Sequence, residues 1–316
     1  MFKDNDFLSL AVSRDNLYKL SEKELPLCER RAIEISILAE RIAREFSDLH
    51  SEGLNIYEII EALFFVDEGF SSKISSDTAN LINSYLSYFG AVEFVDRAYF
   101  VESLLSSLSL LGVNVGESDF LREGVGDETF VYVKNRLADE AFDVFSQDFK
   151  DPRVFYAPDL RSATRAVIEE KCEYCLLPLE EKGGVRIPSI SAILYSSDLK
   201  INSVSSVFGP DGTADMRYAL VSKHFSIPEI LPDDDRYLEV RLSDTHNEAL
   251  ASLFSALSTF GISVYRINTT PHDNEDDTQS ITIVFSVIGK GFANLLTYLS
   301  IFHPTYVTVG IYSKLE

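Results

Sequence analysis

Three observations predict a multidomain chain of mixed α+β and α/β class. Apolar residues recur at helical spacing through the first 125 residues or so, without strand-like alternation. From about Asp127, short apolar runs alternate with amphipathic stretches, the pattern of a mostly parallel α/β sheet. The last part of the chain reads β-α-β-β-α-β, the order of a ferredoxin-like domain. The expected organisation is a helical N-terminal domain at 1–125, an α/β lobe at 126–227 and a ferredoxin-like domain at 235–316. A length of 316 residues with 46% hydrophobic content is enough for domains of ordinary size.

In the N-terminal domain, Pro26 to His50 repeats apolar residues at Ile33, Ile37, Ala39, Ile42, Ala43 and Phe46, and Ser51-Glu52-Gly53 ends the helix. Asn55 is placed to cap a second helix over 56–66, Ser76 or Asp77 a third over 79–89, and a fourth covers about 95–111 before Gly112. Arg30, Arg31, Arg41 and Arg44 alternate with Glu29, Glu34, Glu40 and Glu45 on the first helix, and such interleaving describes a solvated face. The lobe opens with a strand at 129–133, a helix at 137–149, a strand at 153–156, a helix at 162–171 and a buried strand at 174–179. Further strands are expected at 201–207 and 217–222, before a linker marked by Pro228, Pro232 and Asp233-Asp234-Asp235. The ferredoxin-like strands fall at 237–242, 264–270, 280–288 and 306–313, its helices at 247–260 and 292–302, and a polar loop at 272–278.

The formal charge of −22, from 50 acidic and 28 basic residues, argues against electrostatic capture of nucleic acid or anionic lipid. No apolar run approaches the ~20 residues of a membrane span, and Met1 to Asp6 lacks the basic start of a signal peptide, so a cytoplasmic location is expected. Cys28, Cys172 and Cys175 make no disulfide framework. The Cys172-Glu-Tyr-Cys175 spacing has neither a second such pair nor nearby histidines, so these two read as buried thiols. His50, His224, His246, His272 and His303 are scattered without metal-ligand spacing, and the acidic run Asp273 to Asp277 fits no EF-hand loop. Neither a metal nor a cofactor is expected.

The text from Arg153 to Gly184 resembles the first lobe of prephenate dehydratase: Val154-Phe155-Tyr156, then Ala163 to Ile168, then Cys172 to Glu180. In that family a strand ending Pro-Ile-Glu-Asn-Ser leads to a Gly-rich turn; here Pro178, Leu179 and Glu180 match, Glu181 and Lys182 replace Asn and Ser, and Gly183-Gly184 keeps the turn. The family's Thr-Arg-Phe, whose threonine the resemblance makes essential for dehydration, corresponds to Met216-Arg217-Tyr218. Methionine cannot donate a proton to a leaving hydroxyl. The stretch between Glu180 and Arg217 is also too short for the second lobe that the family places there. Bifunctional relatives carry a helical chorismate mutase ahead of the dehydratase, but the mixed charge of the first helix here does not suit its dicarboxylate site.

The C-terminal segment resembles the ACT domain that follows the dehydratase. The family's Gly-Ala-Leu becomes Glu248-Ala249-Leu250 and its Glu-Ser-Arg-Pro becomes Asn268-Thr269-Thr270-Pro271. Ile262, Val264 and Ile267 fill the expected apolar positions, and Val307 to Ser313 closes the domain in the family manner. By resemblance Glu248, Ala249 and Leu250 with Asn268, Thr269, Thr270 and Pro271 mark where a free amino acid, typically phenylalanine, would bind at a subunit interface. Glu248 suits the helix dipole there but repels a ligand carboxylate. The two matching segments together span about 127–316. The expectation is a non-catalytic dehydratase-like protein whose ACT-like domain serves dimerisation or amino-acid sensing. The alternative is an active prephenate dehydratase of phenylalanine biosynthesis, forming phenylpyruvate from prephenate with Arg217 on a substrate carboxylate.

Overall fold

The computed structural model describes residues 30–64, 94–121, 127–209, 212, 214–225, 236–242, 247–271, 279–287, 291–312 and 314–315. Two compact units divide between Val115 and Gly116. The expected helix at 79–89, the linker at 228–235 and the loop at 272–278 lie outside the described residues.

In the N-terminal unit, helix α1 covers residues 30–51, α2 covers Ile56–Phe64 and α3 covers Phe94–Leu110. The buried stripe of α1 is Ile35, Leu38, Ala39, Ile42, Ala43, Phe46 and Leu49. Ile33 and Ile37, expected on that stripe, are 60% and 57% exposed. At 100° per residue they lie on the face opposite Ile42 and Phe46, so the helical phase decides against them. Gly53 ends α1 with φ +96°, a conformation that L side chains rarely adopt. Asn55 caps α2 as expected: its Oδ1 accepts from Glu58 N at 2.9 Å, while Asn55 N donates to Glu58 Oε2 at 3.0 Å, a reciprocal capping box. The Arg30–Glu34 and Arg44–Glu40 pairs are exposed, in keeping with a solvated face.

The second unit is organised by one mixed sheet. Its strands are β1 (Thr129–Tyr132), β2 (Arg153–Tyr156), β3 (Tyr174–Glu181), β4 (Val185–Arg186), β5 (Lys200–Phe208), β6 (Ala214–Ser222), β7 (Arg236–Leu242), β8 (Ser263–Pro271), β9 (Gln279–Val287), β10 (Val307–Tyr312) and β11 (Lys314–Leu315). The main path runs β2-β1-β3-β6-β5-β10-β7-β9-β8, with β4 on β3 and β11 on β5. Strand β1 lies between β2 and β3, parallel to both. Helix α4 (Arg136–Phe145) joins β1 to β2, and α5 (Leu160–Ile168) joins β2 to β3. The two helices cover opposite faces. Ala138, Ala141 and Phe145 of α4 pack with Phe130, Tyr174 and Leu176, whereas Ala163 and Val167 of α5 pack with Val131, Cys175 and Leu177. Such alternate burial of successive residues is why β1 and β3 read as continuous apolar runs. Cys172 and Cys175 are buried and unpaired, as expected of core thiols.

The mostly parallel expectation holds only for β1, β2 and β3. Strand β6 is antiparallel to both β3 and β5, because the helix α6 (Pro188–Ser197) and the short β4 return the chain before β5 begins. Neither α6 nor β4 was expected; α6 starts with Pro188 in its first turn.

Strands β7 to β10, with α7 (Asn247–Phe260) and α8 (Gly291–Phe302), form the ferredoxin-like arrangement β10-β7-β9-β8, antiparallel throughout. Leu238, Val240 and Leu242 of β7 are buried, as are Leu253, Leu257, Leu295 and Leu299 of the two helices. The β10 edge is not free: Gly310 pairs in parallel with Ile201 of β5, which makes the lobe and the ferredoxin-like segment one sheet. A Cβ on Gly310 would stand 2.7 Å from Ile201 Cβ and 3.0 Å from its carbonyl oxygen, so this approach needs glycine. Among the described residues no helix is long and apolar enough to cross a membrane.

A candidate functional site at the seam of the sheet

Where the lobe meets the ferredoxin-like segment, charge replaces hydrocarbon. Glu180, on β3, has Arg217 of β6 as its register partner on one side and Arg186 of β4 on the other. The β3 register shifts between Pro178 and Glu180. Proline cannot give a ladder N–H, and the resulting bulge re-aims the residues after it. A second shift, between Val264 and Arg266 on β8, sets the direction of Arg266 in the same way.

Three arginines converge on Glu180. Arg217 Nη1 donates to Oε2 at 2.8 Å. Arg266 Nη1 donates to Oε1, and Arg186 Nη1 lies 3.6 Å from that oxygen. Arg186 also donates to Glu239 Oε1, and Tyr312 OH donates to Glu239 Oε2 at 3.0 Å. Glu239 is fully buried on β7. Burial alone would lower the pKa of Arg186, but the neighbouring Glu239 carboxylate and Tyr312 raise it above its ordinary value. Burial, and then the Glu239 charge, holds the Tyr312 phenol well above its usual range. For Arg217, burial again opposes a net rise caused by Glu180. Arg186 is therefore a permanent cation whose charge must be matched within the fold.

The face of β7 that carries Glu239 lies opposite the one that carries Leu238, Val240 and Leu242. It is covered from the lobe side by α6: Tyr195 OH and Thr282 Oγ1 are 2.6 Å apart, and the Arg241 guanidinium stacks over the Tyr195 ring at 4.9 Å. A second recess, a cleft of about 260 Å³, is lined by Val167, Glu170, Cys172, Glu173, Lys223 and His224. Its charges are partly matched within the cleft, Lys223 Nζ lying 2.6 Å from Glu170 Oε1. Burial raises the Cys172 thiol, which disfavours the reactive thiolate.

Of the positions singled out in the sequence, Glu180 and Arg217 are brought into direct contact. Met216 and Tyr218 flank Arg217 on β6 and belong instead to the aromatic core around Phe130. Tyr218 OH donates to Asn135 Oδ1 at 3.5 Å. Asn135 also caps α4 through Ala138 N at 2.9 Å. Glu248, Ala249 and Leu250 lie in the first turn of α7, and Asn268 to Pro271 end β8. Leu242 and Thr269 both face Ile281 across neighbouring strands. Two strand spacings, about 10 Å, therefore separate the strand leading to α7 from the end of β8, and both motifs sit at one end of the segment.

Arg186, Glu239, Arg266 and Tyr312 escaped the sequence reading. Along Tyr237 to Leu242 polar and apolar residues alternate, which reads as one core face and one wet face. The signal available was Glu239 midway along a strand otherwise suited to burial. Its meaning depends on α6, which the sequence reading did not place.

No family model matches the chain, and no curated protein matches it. Distant structural similarity exists to several solved structures. GqqA, described as a novel type of quorum quenching acylase, superposes with a TM-score of 0.45 and 18% identity over 60% of this chain and 96% of its own. Prephenate dehydratase from Streptococcus mutans superposes with a TM-score of 0.49 and 13% identity over 60% of this chain and 99% of its own. The enzyme from Arthrobacter aurescens, solved in complex with L-Phe, gives 0.45 and 14% over 58% and 90%.

Proposed function

We propose that the protein is a non-catalytic relative of prephenate dehydratase whose ACT-like segment serves dimerisation or amino-acid sensing. The observation that carries this reading is Met216. It occupies the position that the resemblance assigns to the dehydrating threonine, and its side chain packs against the Phe130 aromatic core. A thioether has no proton to give and accepts hydrogen bonds weakly. The charged neighbours support the same reading, since Glu180 and Arg217 bind each other. Purified protein incubated with prephenate is expected to form no phenylpyruvate above the spontaneous rate, and measurable turnover would overturn the proposal.

The association role draws on the two edges of the ferredoxin-like segment. Strand β5 occupies the β10 edge. Strand β8 pairs only with β9 among the described residues, and Val264, Tyr265 and Ile267 are exposed along it. An unpaired edge with apolar side chains is a template for a second strand. Sedimentation of the full chain is expected to give a dimer and Ile267→Lys a monomer; a monomeric parent protein would remove the association role.

A further inference from the structure

We infer that the cleft at the amino end of β3 binds a small primary ammonium ion, held by the Glu173 carboxylate near the C-terminal end of α5. The cleft, about 260 Å³ in volume, is lined by Val167, Glu170, Cys172, Glu173, Lys223 and His224. Cys172 and Glu173 precede β3, and Lys223 and His224 follow β6. The cleft therefore lies at the opposite end of these strands from the Glu180–Arg217 contact.

Both walls are fixed by the backbone. Glu170 has φ +57°, a conformation uncommon for a residue other than glycine. Just after it, the amides of Lys171 and Cys172 fold back on the Ala166 carbonyl at 2.9 and 3.2 Å. Glu173 thus lines the same cleft as Val167 in the last turn of α5, where the helix dipole is negative. On the other wall, the His224 carbonyl accepts from Asn202 Nδ2 at 3.2 Å and from Ser222 Oγ. Asn202 and Ser222 are buried, so this wall is anchored in the core.

Charge then selects the ligand. Glu170 and Lys223 pair at 2.6 Å and cancel. Glu173 is held through its amide, which donates to Thr129 Oγ1 at 2.9 Å, and its carboxylate has no ion-pair partner among the described residues. Burial is the main reason that this carboxyl titrates above its usual range; Asp127 and Glu170 add to the rise, and His224 and Lys223 oppose it. With His224 neutral, the cleft keeps one unmatched negative charge on a half-buried group. Among the described residues no three His, Cys, Asp or Glu side chains are grouped to hold a metal ion, which points to an organic cation. A primary ammonium is a compact charge with three N–H donors. Buried Val167 and Cys172 offer a wall for a short alkyl chain. The volume lies below the ~300–1,000 Å³ of sites for drug-sized ligands, so the amine is small. The site holds whether or not the protein turns over prephenate, since it shares no residue with Met216 or Arg217.

The test is calorimetry on the full chain with propylammonium, tetramethylammonium and magnesium chlorides, at neutral pH and constant ionic strength set by sodium chloride. Saturable one-to-one binding of propylammonium is expected, with the other two weaker. Glu173→Gln is expected to weaken propylammonium at least tenfold with unchanged circular dichroism. Lys223→Met frees the Glu170 charge and is expected to tighten binding. An arm that needs no variant guards against misfolding: in the parent protein, amide resonances of 170–173 and 223–224 are expected to shift with propylammonium. Absence of saturable binding, magnesium binding as tight as propylammonium, or affinity that Glu173→Gln leaves intact overturns the inference. So do weaker binding in Lys223→Met and resonance shifts confined to other residues.

Discussion

The two ends of the long sheet are stabilised by different means. At the β2-β1-β3 end, α4 and α5 pack on opposite faces, and Phe130, Val131, Cys175 and Leu177 belong to two apolar clusters. At the ferredoxin-like end, α7 and α8 cover one face. The other meets the lobe through Glu239, Arg186, Glu180 and Arg266. Apolar packing tolerates a partner of similar volume. A buried ion pair tolerates no loss of one member, although replacing the whole pair by hydrocarbon is often neutral. The first end should therefore respond to volume and the second to matched charge.

Four single substitutions and one double replacement sharpen or break this contrast. The largest effect is expected from Glu239→Ala, which strands Arg186 in the interior and should cost about 3–5 kcal/mol in chemical denaturation. The joint replacement Arg186→Met with Glu239→Leu should recover most of that loss; if it does not, charge matching is the wrong account of the seam. Tyr312→Phe comes next, at about 1.5–3 kcal/mol for a hydrogen bond to a charged acceptor. It also tests alkaline behaviour. Burial, followed by Glu239, raises the folded-state pKa of Tyr312, so its contribution is intact below the unfolded value of about 10 and lost as pH rises beyond it. Stability profiles above pH ~10 should thus be flatter in Tyr312→Phe than in the parent chain. Gly310→Ala should cost about 1–3 kcal/mol by forcing β10 away from Ile201. Smallest is Tyr195→Phe, which removes the hydroxyl beside Thr282 and should cost about 1 kcal/mol.

The legibility of the sequence follows the same divide. Strands β1 and β3 were legible because two-sided burial writes apolar runs such as Tyr174 to Leu179. The ferredoxin-like order was legible because its apolar runs switch between helical and strand spacing and polar stretches separate them. The inner stripe of α1 was misassigned at Ile33 and Ile37, where an apolar residue need not mark the core face. Glu180 and Arg217 could be singled out by resemblance, but not their mutual contact, which depends on the register of β3 with β6. Arg186 and Arg266 were invisible for a related reason. A strand of two residues has no period to read, and a bulge changes the direction of a side chain without changing composition.

The junction between β5 and β10 has a consequence for the living chain. Strand β5 leaves the ribosome early, yet its parallel neighbour arrives much later: Lys200 Nζ on β5 reaches the Thr308 carbonyl, 108 residues on. Until 307–312 emerge, one edge of β5, a strand rich in valine and serine, stays uncovered while β6 holds the other. Contacts of such long sequence separation close late, and an uncovered edge invites pairing with another nascent chain. The interval of translation between these strands is thus a window in which a chaperone is most useful, and slow codons between them would widen it.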